Sequence, residues 1–586
     1  MGEEMQQFIN DKEKIVTDAI DGAIVASGGA LTRLDGYPHI RVVVRSDWDK
    51  SKVALVSGGG SGHEPAHVGF VGRGMLTAAV CGDVFASPSV DAVLAGILAV
   101  TGPAGCLLIV KNYTGDRLNF GLAAERARAF GLKVSIVIVD DDIALPNLPQ
   151  ARGLAGTLFV HKIAGALAEN GATLEECVAS ADRVIKASCS IGMSLDTCTV
   201  PGSLKEERIP KGMVELGLGI HGEAGVEQVL FKGARNAISQ VVDRLSNSMP
   251  KTPHVALINN LGGSSVLEMS VLTNELLSSS IGGQIKILIG PNAMMTALDM
   301  HGFSVSVMEL CEDDEALFDQ RVSVPGWPGC KSILETTILP LPDGLSPVRT
   351  PASPHNPTKA FLTHCCRVLI SSQDDLNALD AKSGDGDTGS TLASAATALI
   401  GAIDKLPLAD HTQLFRAIGL ELSQTMGGSS GVLLAIFFAA AGDASSSGKP
   451  MREALQEGLD RMREIGGANP GDRTMIDALL PALDALKDGL KQAALAARKG
   501  AEYTATLTTA KAGRATYLNP EQLEGHVDPG AEAVARLFEA LVQDYNAKDR
   551  ASKCSCPFIE KSLGERFQTF REITLLKVCN GAVPIQ

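Results

Sequence analysis

The uneven distribution of strand-like segments is the feature that most constrains the fold. Short β-branched runs alternate with helical stretches over about the first 330 of the 586 residues. Several runs end in Gly- or Asn-rich turns, which predicts α/β units with functional loops at the carboxyl ends of strands. The predicted strands are Arg41–Arg45, Val53–Ser57, Cys106–Val110, Val134–Val139, Val255–Ile258 and Ile285–Ile289.

The second half of the chain has a different character. Residues 334–358 are rich in Pro and Ser without periodicity, which predicts a linker with a reach of roughly 25–30 Å. From Lys359 onward, Ala- and Leu-rich helical repeats are punctuated by polar Gly/Asp/Ser loops. We therefore predict an α/β module with two subdomains (1–333), the linker, an all-helical module (359–548) and a tail of unknown role (549–586).

Composition narrows the class of protein. Apolar residues make up 45% and charged residues 20% of the chain, as in soluble proteins with several cores. A net charge of −15 argues against a nucleic-acid partner, which would require a basic face. The first ten residues have no apolar segment of a signal peptide, and the apolar stretch around Val432–Gly442 is too short to span a bilayer. The 12 scattered Cys residues form no zinc framework, so we expect a cytoplasmic protein acting on small molecules.

Two motifs of the first module follow predicted strands. SGGGSGHEPAH (57–67) is either a tight strand-to-helix turn or a site where backbone N–H groups approach a ligand beside Ser61 and His63. KNYTGD (111–116) offers a cation at Lys111 and a general base at Asp116, but could equally hold a solvated ion pair.

The motif ELGLGIHGEAG (215–225) contains one His flanked by Gly. Such a residue is often structural or simply exposed. However, His221 has no bulky neighbour in sequence, and a neutral imidazole with an accessible nitrogen can add to a carbonyl carbon.

The helical module contains an acidic cluster, Asp380, Asp385 and Asp387, within LDAKSGDGDTGS. Mutual repulsion opposes convergence of three carboxylates without a cation, and hard oxygen ligands suit Mg²⁺ with nucleotide phosphates. A charged, hydrated loop is the alternative. MGGSSG (426–431) and GDRTM (471–475) resemble helix starts, where free N–H groups bind anions. Together these loops indicate a metal–phosphate site.

The order of these motifs resembles that of the single-chain dihydroxyacetone kinases. The resemblance covers about residues 8–545 and rests on SGGGSGHEPAH, GDVFASPS, LLIVKNYTGDRLNFG, ELGLGIHGE, INNLGG, LNALDAKSGDGDTGS, MGGSSG and PGDRTMIDAL. It implies phosphorylation of dihydroxyacetone by Mg-ATP in a cytoplasmic homodimer, with an eight-helix barrel as the nucleotide module. The residues after about Ala551 lie outside the family pattern.

The resemblance also implies a role for individual residues. His221 would form a covalent hemiaminal with the ketone carbon, and His63 would hydrogen-bond to the adduct. Lys111 and Asp116 would contact the substrate hydroxyls, with Asp116 as the base. The rest of the substrate site would be Gly60, Ser61 and Gly62. Asp380, Asp385 and Asp387 would hold two Mg²⁺ ions. The nucleotide would be bordered by Thr388, Gly389, Ser390, Thr391, Ser429, Ser430, Gly466, Thr474, Met475, Asp528, Pro529 and Gly530.

Other activities remain open at this level. Members of the family also phosphorylate glyceraldehyde or cleave FAD to cyclic FMN and AMP. A phosphoenolpyruvate-dependent system is disfavoured, because both modules lie on one chain. A ketose-binding sensor is disfavoured as well, because a sensor has no need of the Asp cluster.

Overall fold

A computed structural model describes residues 7–145, 150–342 and 350–553 of the chain. The chain divides into two compact units, residues 1–337 and 338–586. The first unit is α/β and the second is all-helical, which confirms the predicted fold class. Part of the predicted linker (343–349) and most of the predicted tail (554–586) lie outside the described residues.

The first unit contains two sheets. Its strands are β1 (Leu31–Arg33), β2 (Val42–Arg45), β3 (Ala54–Ser61), β4 (Ala78–Val84), β5 (Cys106–Lys111), β6 (Val134–Val139), β7 (Ser188–Ser194), β8 (Met213–Leu216), β9 (Glu227–Leu230), β10 (His254–Asn260), β11 (Ile285–Ala293), β12 (Gly302–Glu309) and β13 (Cys330–Ser332). The first sheet has the order β1-β2-β4-β3-β5-β6 and the second β13-β11-β10-β12-β7-β8-β9.

Helices cover the faces of both sheets. They are α1 (Ile15–Ala26), α2 (Val90–Val100), α3 (Thr114–Ala129), α4 (Thr157–Glu169), α5 (Leu174–Ala187), α6 (Ala234–Ser248), α7 (Val266–Leu277) and α8 (Asp314–Asp319). Helices α2 and α3 pack on one face of the first sheet, α4 and α5 on its other face, and α6 and α7 on the second sheet. One apolar core contains residues of α4, α5 and both sheets, so these two helices join the subdomains.

Parallel pairing in the first sheet brings the functional motifs together. Strands β4, β3, β5 and β6 run parallel, with β3 between β4 and β5. The apolar side chains of β3 and β5 are buried, as expected for strands covered on both faces. The motifs at the carboxyl ends of β3 and β5 therefore lie side by side.

Ten α-helices are described in the second unit. They are α9 (Asn356–Ser371), α10 (Gln373–Asp380), α11 (Thr388–Ala402), α12 (His411–Thr425), α13 (Gly428–Ser446), α14 (Met451–Gly466), α15 (Ile476–Ala485), α16 (Leu490–Thr504), α17 (Pro520–Leu523) and α18 (Pro529–Lys553). Consecutive helices from α11 to α16 pack against each other, and α16 packs against α18. Helix α9 packs against both α18 and α11 and so closes the ring. Within residues 350–553 the long helices thus close into a ring of eight, with α10 packed beside α11.

Two helix lengths differ from the sequence prediction. Helix α18 continues to Lys553, five residues beyond the predicted end of the helical module. Helix α13 contains an 18-residue apolar window, Ser429–Ser446, that is longer than the stretch recognised in the sequence and reaches the length and composition of a membrane span. In this unit α13 packs against α12 and α14 as a member of the ring.

Candidate active site

Close packing explains the glycines of the first motif. Gly58 and Gly60 lie inside β3, where a Cβ on Gly58 would lie 2.1 Å from the carbonyl oxygen of Val80. A Cβ on Gly60 would lie 2.8 Å from the backbone nitrogen of Ala86. Only glycine allows this approach between strands. The glycine run is therefore the end of a strand, and the segment after it leads into a short 3₁₀ turn at Val68–Phe70 instead of an α-helix.

Lys111 and Asp116 face the same space beside β3. Lys111 ends β5, and Asp116 lies in the first turn of α3; both side chains are buried. A Cβ on Gly59 would lie 3.0 Å from Lys111 Nζ and 3.2 Å from Asp116 Oδ2. The hydroxyl of Ser87 donates to Asp116 Oδ1 over 2.5 Å. The other carboxylate oxygen therefore points, with the amine, into space that only a glycine at position 59 leaves open.

Two histidines from distant parts of the chain form a contact pair. His63 follows β3, His221 lies in the loop between β8 and β9, and their Nε2 atoms are 3.1 Å apart. Nδ1 of His63 lies 2.8 Å from the Thr296 carbonyl oxygen, and Nδ1 of His221 lies 3.3 Å from Glu223 Oε1. A carbonyl and an ionised carboxylate only accept hydrogen bonds, so this geometry assigns a proton to each Nδ1. The contact between the two Nε2 atoms then requires one additional proton.

Electrostatics disfavour His63 as the holder of that proton. Burial lowers the pKa of His63 well below its usual range, and Lys111 lowers it further. Burial raises the pKa of Glu223, but the hydrogen bond and charge of His221 lower it by more, to about 2. An ionised Glu223 thus lies beside the His221 ring, where a positive charge on the imidazole is stabilised.

Aromatic rings enclose the histidine pair. The Tyr113 ring meets His221 edge-on with ring centroids 4.4 Å apart, and Phe85 stacks on His63 at 5.3 Å. Tyr113 lies between Lys111 and Asp116 in sequence, so this contact joins the histidine pair to the amine and carboxylate. The rings restrict rotation of both imidazoles, and His63 is fully buried, whereas 16% of the His221 side chain is exposed.

The remaining predicted substrate residues have local hydrogen bonds. Ser61 is buried, and its hydroxyl donates to the Gly82 carbonyl oxygen over 2.9 Å. The Gly62 N–H donates to the Glu64 carboxylate, 2.9 Å away at the nearer oxygen. Both positions therefore fix the backbone path between β3 and His63.

The three predicted metal ligands of the helical unit converge. Asp380 ends α10, and Asp385 and Asp387 lie in the loop before α11. One ligand oxygen from each lies within 4.8 Å of the others. Asp380 Oδ2 also accepts hydrogen bonds from the backbone N–H groups of Asp387 and Thr388, at 3.0 and 3.1 Å, which folds the loop around it. Three carboxylate oxygens at this spacing fit a hard cation such as Mg²⁺.

Helix starts surround the acidic cluster. Thr388 begins α11, and Ser429 and Ser430 lie in the first turn of α13. The free N–H groups of a first turn and the helix dipole favour an anion such as phosphate. Two of the residues predicted to border the nucleotide, Gly389 and Ser390, pack against another helix instead. A Cβ on Gly389 would lie 2.0 Å from the Gln373 carbonyl oxygen of α10, so Gly389 and its neighbour Ser390 pack on α10.

Two further loops are held by carboxylates, of which Asp477 is buried and Asp528 partly buried. Asp477 accepts from the N–H groups of Gly471 and Thr474, at 2.5 and 2.8 Å, and so shapes the loop before α15. Asp528 caps α18 through a 2.8 Å bond from the Ala531 N–H. Burial raises the pKa of Asp528 to about 6.

These elements surround one cavity of about 1650 Å³. The predicted residues that line it are Asp380, Asp385, Asp387, Thr388, Thr391, Ser429, Ser430, Gly466, Thr474, Met475, Asp528, Pro529 and Gly530. The cavity therefore collects nearly all of the predicted metal and nucleotide residues of the helical unit.

Several residues of the two sites were not found from the sequence. The position of Glu223, two residues from His221 in a Gly-rich loop, could have indicated that it belongs to the site. Ser87 lies in the motif GDVFASPS, but nothing local connects it with Asp116. Asn377 binds the backbone N–H and the hydroxyl of Ser390, a pairing between two helices that only the fold determines.

Comparison with known protein families and structures agrees with this division. The Dak1 domain family matches residues 22–326, and the DAK2 domain family matches residues 382–543. A dihydroxyacetone kinase of Citrobacter freundii is 48% identical over 546 residues, covering 92% of this chain and 99% of that protein. A human triokinase/FMN cyclase is 40% identical over 575 residues, covering 92% and 99%.

A solved structure is similar over the same range. The crystal structure of the C. freundii dihydroxyacetone kinase in complex with AMP-PNP and Mg²⁺ superposes with a TM-score of 0.64 at 46% identity. It covers 92% of this chain and 99% of its own.

Proposed function

Because the chain belongs to the dihydroxyacetone kinase family, we propose that it transfers the γ-phosphate of ATP to dihydroxyacetone, giving dihydroxyacetone phosphate and ADP. The observation that carries this proposal is the 3.1 Å contact between His63 and His221, next to an amine and a carboxylate. Such a set of groups suits a small ketose with hydroxyls on both sides of its carbonyl. The acidic cluster of the helical unit supplies the complementary requirement of a kinase, a site for metal and phosphate.

In the proposed binding step, Nε2 of His221 adds to the ketone carbon of the substrate. Its proton passes first to Nε2 of His63, 3.1 Å away, and then to the former carbonyl oxygen. The product is a hemiaminal whose ring keeps the proton on Nδ1 and carries a positive charge. Glu223 balances that charge. A covalent bond of this kind fixes a triose that offers little surface for noncovalent binding, and it excludes glycerol, which has no carbonyl.

Asp116 is the proposed base in the transfer step. Its Oδ2 faces the space beside Gly59, while Ser87 occupies Oδ1. A substrate hydroxyl in that space would give its proton to Asp116 and attack the γ-phosphate. Lys111, beside the same space, would donate a hydrogen bond to a substrate hydroxyl.

Asp380, Asp385 and Asp387 are proposed to hold Mg²⁺, two ions in our account, with ATP. When bound, the metal neutralises phosphate charge that develops during transfer. The chain's own contribution is positional: Asp380 fixes the loop by accepting the backbone N–H groups of residues 387 and 388. The first turns of α11 and α13 and the loops at residues 466–475 and 528–530 would border the nucleotide.

A second candidate activity is favoured by the 40% identity to the human triokinase/FMN cyclase. Phosphorylation of glyceraldehyde and cleavage of FAD to cyclic FMN and AMP would both use the nucleotide site of the helical unit. Incubation with FAD and a divalent metal, followed by chromatography for cyclic FMN, tests the cyclase separately from the kinase.

We also propose that the protein is a cytoplasmic homodimer. The nine cysteines within the described residues are free, which agrees with a reducing compartment. Light scattering with size-exclusion chromatography tests the dimer.

The kinase proposal is tested by product identity. ³¹P NMR of a reaction containing Mg-ATP and dihydroxyacetone should show equimolar dihydroxyacetone phosphate and ADP, and no phosphorylated product with glycerol. Consumption of ATP to inorganic phosphate alone would contradict it.

A further inference from the structure

A cluster of three buried basic side chains lies behind the proposed substrate site. Lys111, His67 and His161 come from β5, the segment after β3, and α4. All three are almost fully buried, with Lys111 and His161 at 0% exposure and His67 at 4%. Basic groups are seldom buried this completely unless a partner accepts their protons.

The contacts within this cluster are unequal. Lys111 Nζ lies 2.9 Å from His67 Nε2, within hydrogen-bond distance. His67 Nδ1 and both ring nitrogens of His161 are buried without a hydrogen-bond partner in the described residues. The His67 and His161 rings meet edge-on with centroids 5.4 Å apart. His67 therefore touches the amine through an acceptor atom, whereas His161 contributes packing.

The protonation states follow from the surroundings. Burial lowers the pKa of His67 well below its usual range, with Lys111 and His161 adding to the shift, so its ring is neutral at physiological pH. Burial likewise lowers the pKa of His161, to about 3. A neutral His67 with its proton on Nδ1 has a lone pair on Nε2, which accepts an N–H of Lys111.

The amine itself requires such an acceptor. Burial lowers the pKa of Lys111, and the opposite charge of Asp116 raises it. The titratable groups that face this amine are Asp116 from α3, His63 and His67 after β3, and His161 from α4. Asp116 is the only anion among these four, so the charged amine depends on Asp116 and on the lone pair of His67.

We propose that His67 is a positioning residue for Lys111: its Nε2 accepts one N–H of the buried amine, keeps that amine charged, and directs its other N–H groups to the space beside Gly59 where a substrate hydroxyl binds. This inference rests on the proposed function, because it assigns the purpose of the contact to substrate binding. A hydrogen bond to a charged donor favours the charged form, so the loss of His67 should make Lys111 lose its proton at lower pH. A neutral amine binds a hydroxyl more weakly.

The test measures dihydroxyacetone affinity by calorimetry without ATP, from pH 6 to pH 9.5, on the full chain. His67→Leu removes the acceptor, and His67→Gln brings an amide oxygen to about the place of Nε2. His161→Leu is the matched control, since that ring is equally buried but has no hydrogen-bond partner among the described residues.

The expected result separates these variants. The alkaline loss of affinity should move to lower pH by about one to two units in His67→Leu, the size expected for a lost hydrogen bond to a charged group. In His67→Gln and His161→Leu, the pH at which affinity is lost on the alkaline side should stay within about half a pH unit of that of the unaltered protein. A His67→Leu profile equal to that of His161→Leu, or a His67→Gln profile equal to that of His67→Leu, would overturn the inference and leave the kinase intact.

Two further outcomes are also decisive. If the unaltered protein binds no dihydroxyacetone, the proposed function fails and this inference fails with it. If His67→Leu does not fold, as judged by circular dichroism, His67→Asn replaces it. Asn is one methylene shorter than Gln and cannot reach Nζ of Lys111. The alkaline loss of affinity should therefore shift to lower pH in His67→Asn but not in His67→Gln. Equal profiles for the two amides would contradict the role of His67.

Discussion

The Nε2 atoms of His63 and His221 lie 3.1 Å apart although the residues are 158 positions apart in sequence. Each ring is fixed from behind, His63 by the Thr296 carbonyl and His221 by Glu223. The two rings thereby face each other through their Nε2 atoms, at the place where we propose that the ketone adds. In that proposal His221 is the nucleophile and His63 the proton donor, and the two are in direct contact.

Removal of His63 should slow the reaction by impairing proton transfer to the carbonyl oxygen. We expect His63→Ala to reduce kcat/KM for dihydroxyacetone by about 10²- to 10⁴-fold, the usual contribution of a general acid or base. His254→Leu is the control, because His254 is also buried but begins β10 and belongs to neither candidate site. Steady-state rates for both variants check this prediction, and equal losses would contradict it.

Loss of the charge at Glu223 should weaken the proposed, positively charged adduct on His221. Glu223→Gln is expected to lower kcat/KM by about 10- to 100-fold, as for a lost charged hydrogen bond. Glu227→Gln serves as control, since Glu227 is exposed and pairs with Arg244. Unchanged rates in Glu223→Gln would remove the proposed charge balance.

The same carboxylate should make the protein sensitive to acid. The pKa of Glu223 is depressed from 4.5 to about 2 in the folded chain by His221, against the effect of burial. Its contribution to the free energy of unfolding is therefore present above pH 4.5 and lost as pH falls through about 2. Urea titrations between pH 6 and pH 2 should show a smaller acid loss in Glu223→Gln than in the unaltered protein.

A side chain at position 59 should displace the amine and carboxylate. Gly59 has φ +144°, and its Cβ would lie 3.0 Å from Lys111 Nζ. We expect Gly59→Ala to lower kcat/KM by at least about tenfold, since small misplacements of reacting groups cost this much or more. Gly121→Ala in α3 is the control, because outside its own helical turn no atom of the described residues lies within 4 Å of a Cβ at this position. That variant should be fully active and, as a helical Gly→Ala change, slightly more stable by about 0.5–1 kcal/mol.

Asp528 should destabilise the helical unit at neutral pH. Burial raises its pKa from 3.8 to about 6, so the folded chain favours the protonated form. Its ionisation therefore reduces stability as pH rises from about 4 to above 6, by up to roughly 3 kcal/mol. Asp528→Asn keeps an oxygen for the Ala531 N–H and should raise the free energy of unfolding at pH 7.5 but not at pH 4. The exposed Asp484→Asn is the control, and a gain that is equal at both pH values would contradict the charge argument.

The fold class and the strongest strands could be predicted from local sequence. The β-branched run Val134–Val139 coincides with β6, and the predicted strands at residues 106 and 285 begin at the observed positions. Strands such as β4 (Ala78–Val84) and β12 (Gly302–Glu309) were missed. They contain Ala, Gly, Ser or acidic residues and are stabilised by their neighbours in the sheet more than by their own propensity.

The candidate site could be proposed from sequence only where its residues lie in motifs at strand ends. His63, Lys111, Asp116 and His221 follow strand ends, where ligands bind in α/β folds. The hydrogen bond between Lys111 and His67 and that between Ser87 and Asp116 join different elements, and no periodicity encodes them. Gly389 and Ser390 were predicted to face the nucleotide, yet close packing of α11 on α10 turns them toward Gln373 and Asn377.

The most direct test of the account is coupled ADP release with Mg-ATP and dihydroxyacetone, in the unaltered protein and in His221→Ala and Asp385→Ala. We expect turnover in the unaltered protein, and a loss of at least about 10³-fold in each variant, because one lacks the proposed nucleophile and the other a proposed metal ligand. Calorimetry should show that Asp385→Ala still binds dihydroxyacetone and that His221→Ala does not. If the unaltered protein binds dihydroxyacetone without consuming ATP, or if His221→Ala turns over normally, the two-site kinase account is wrong.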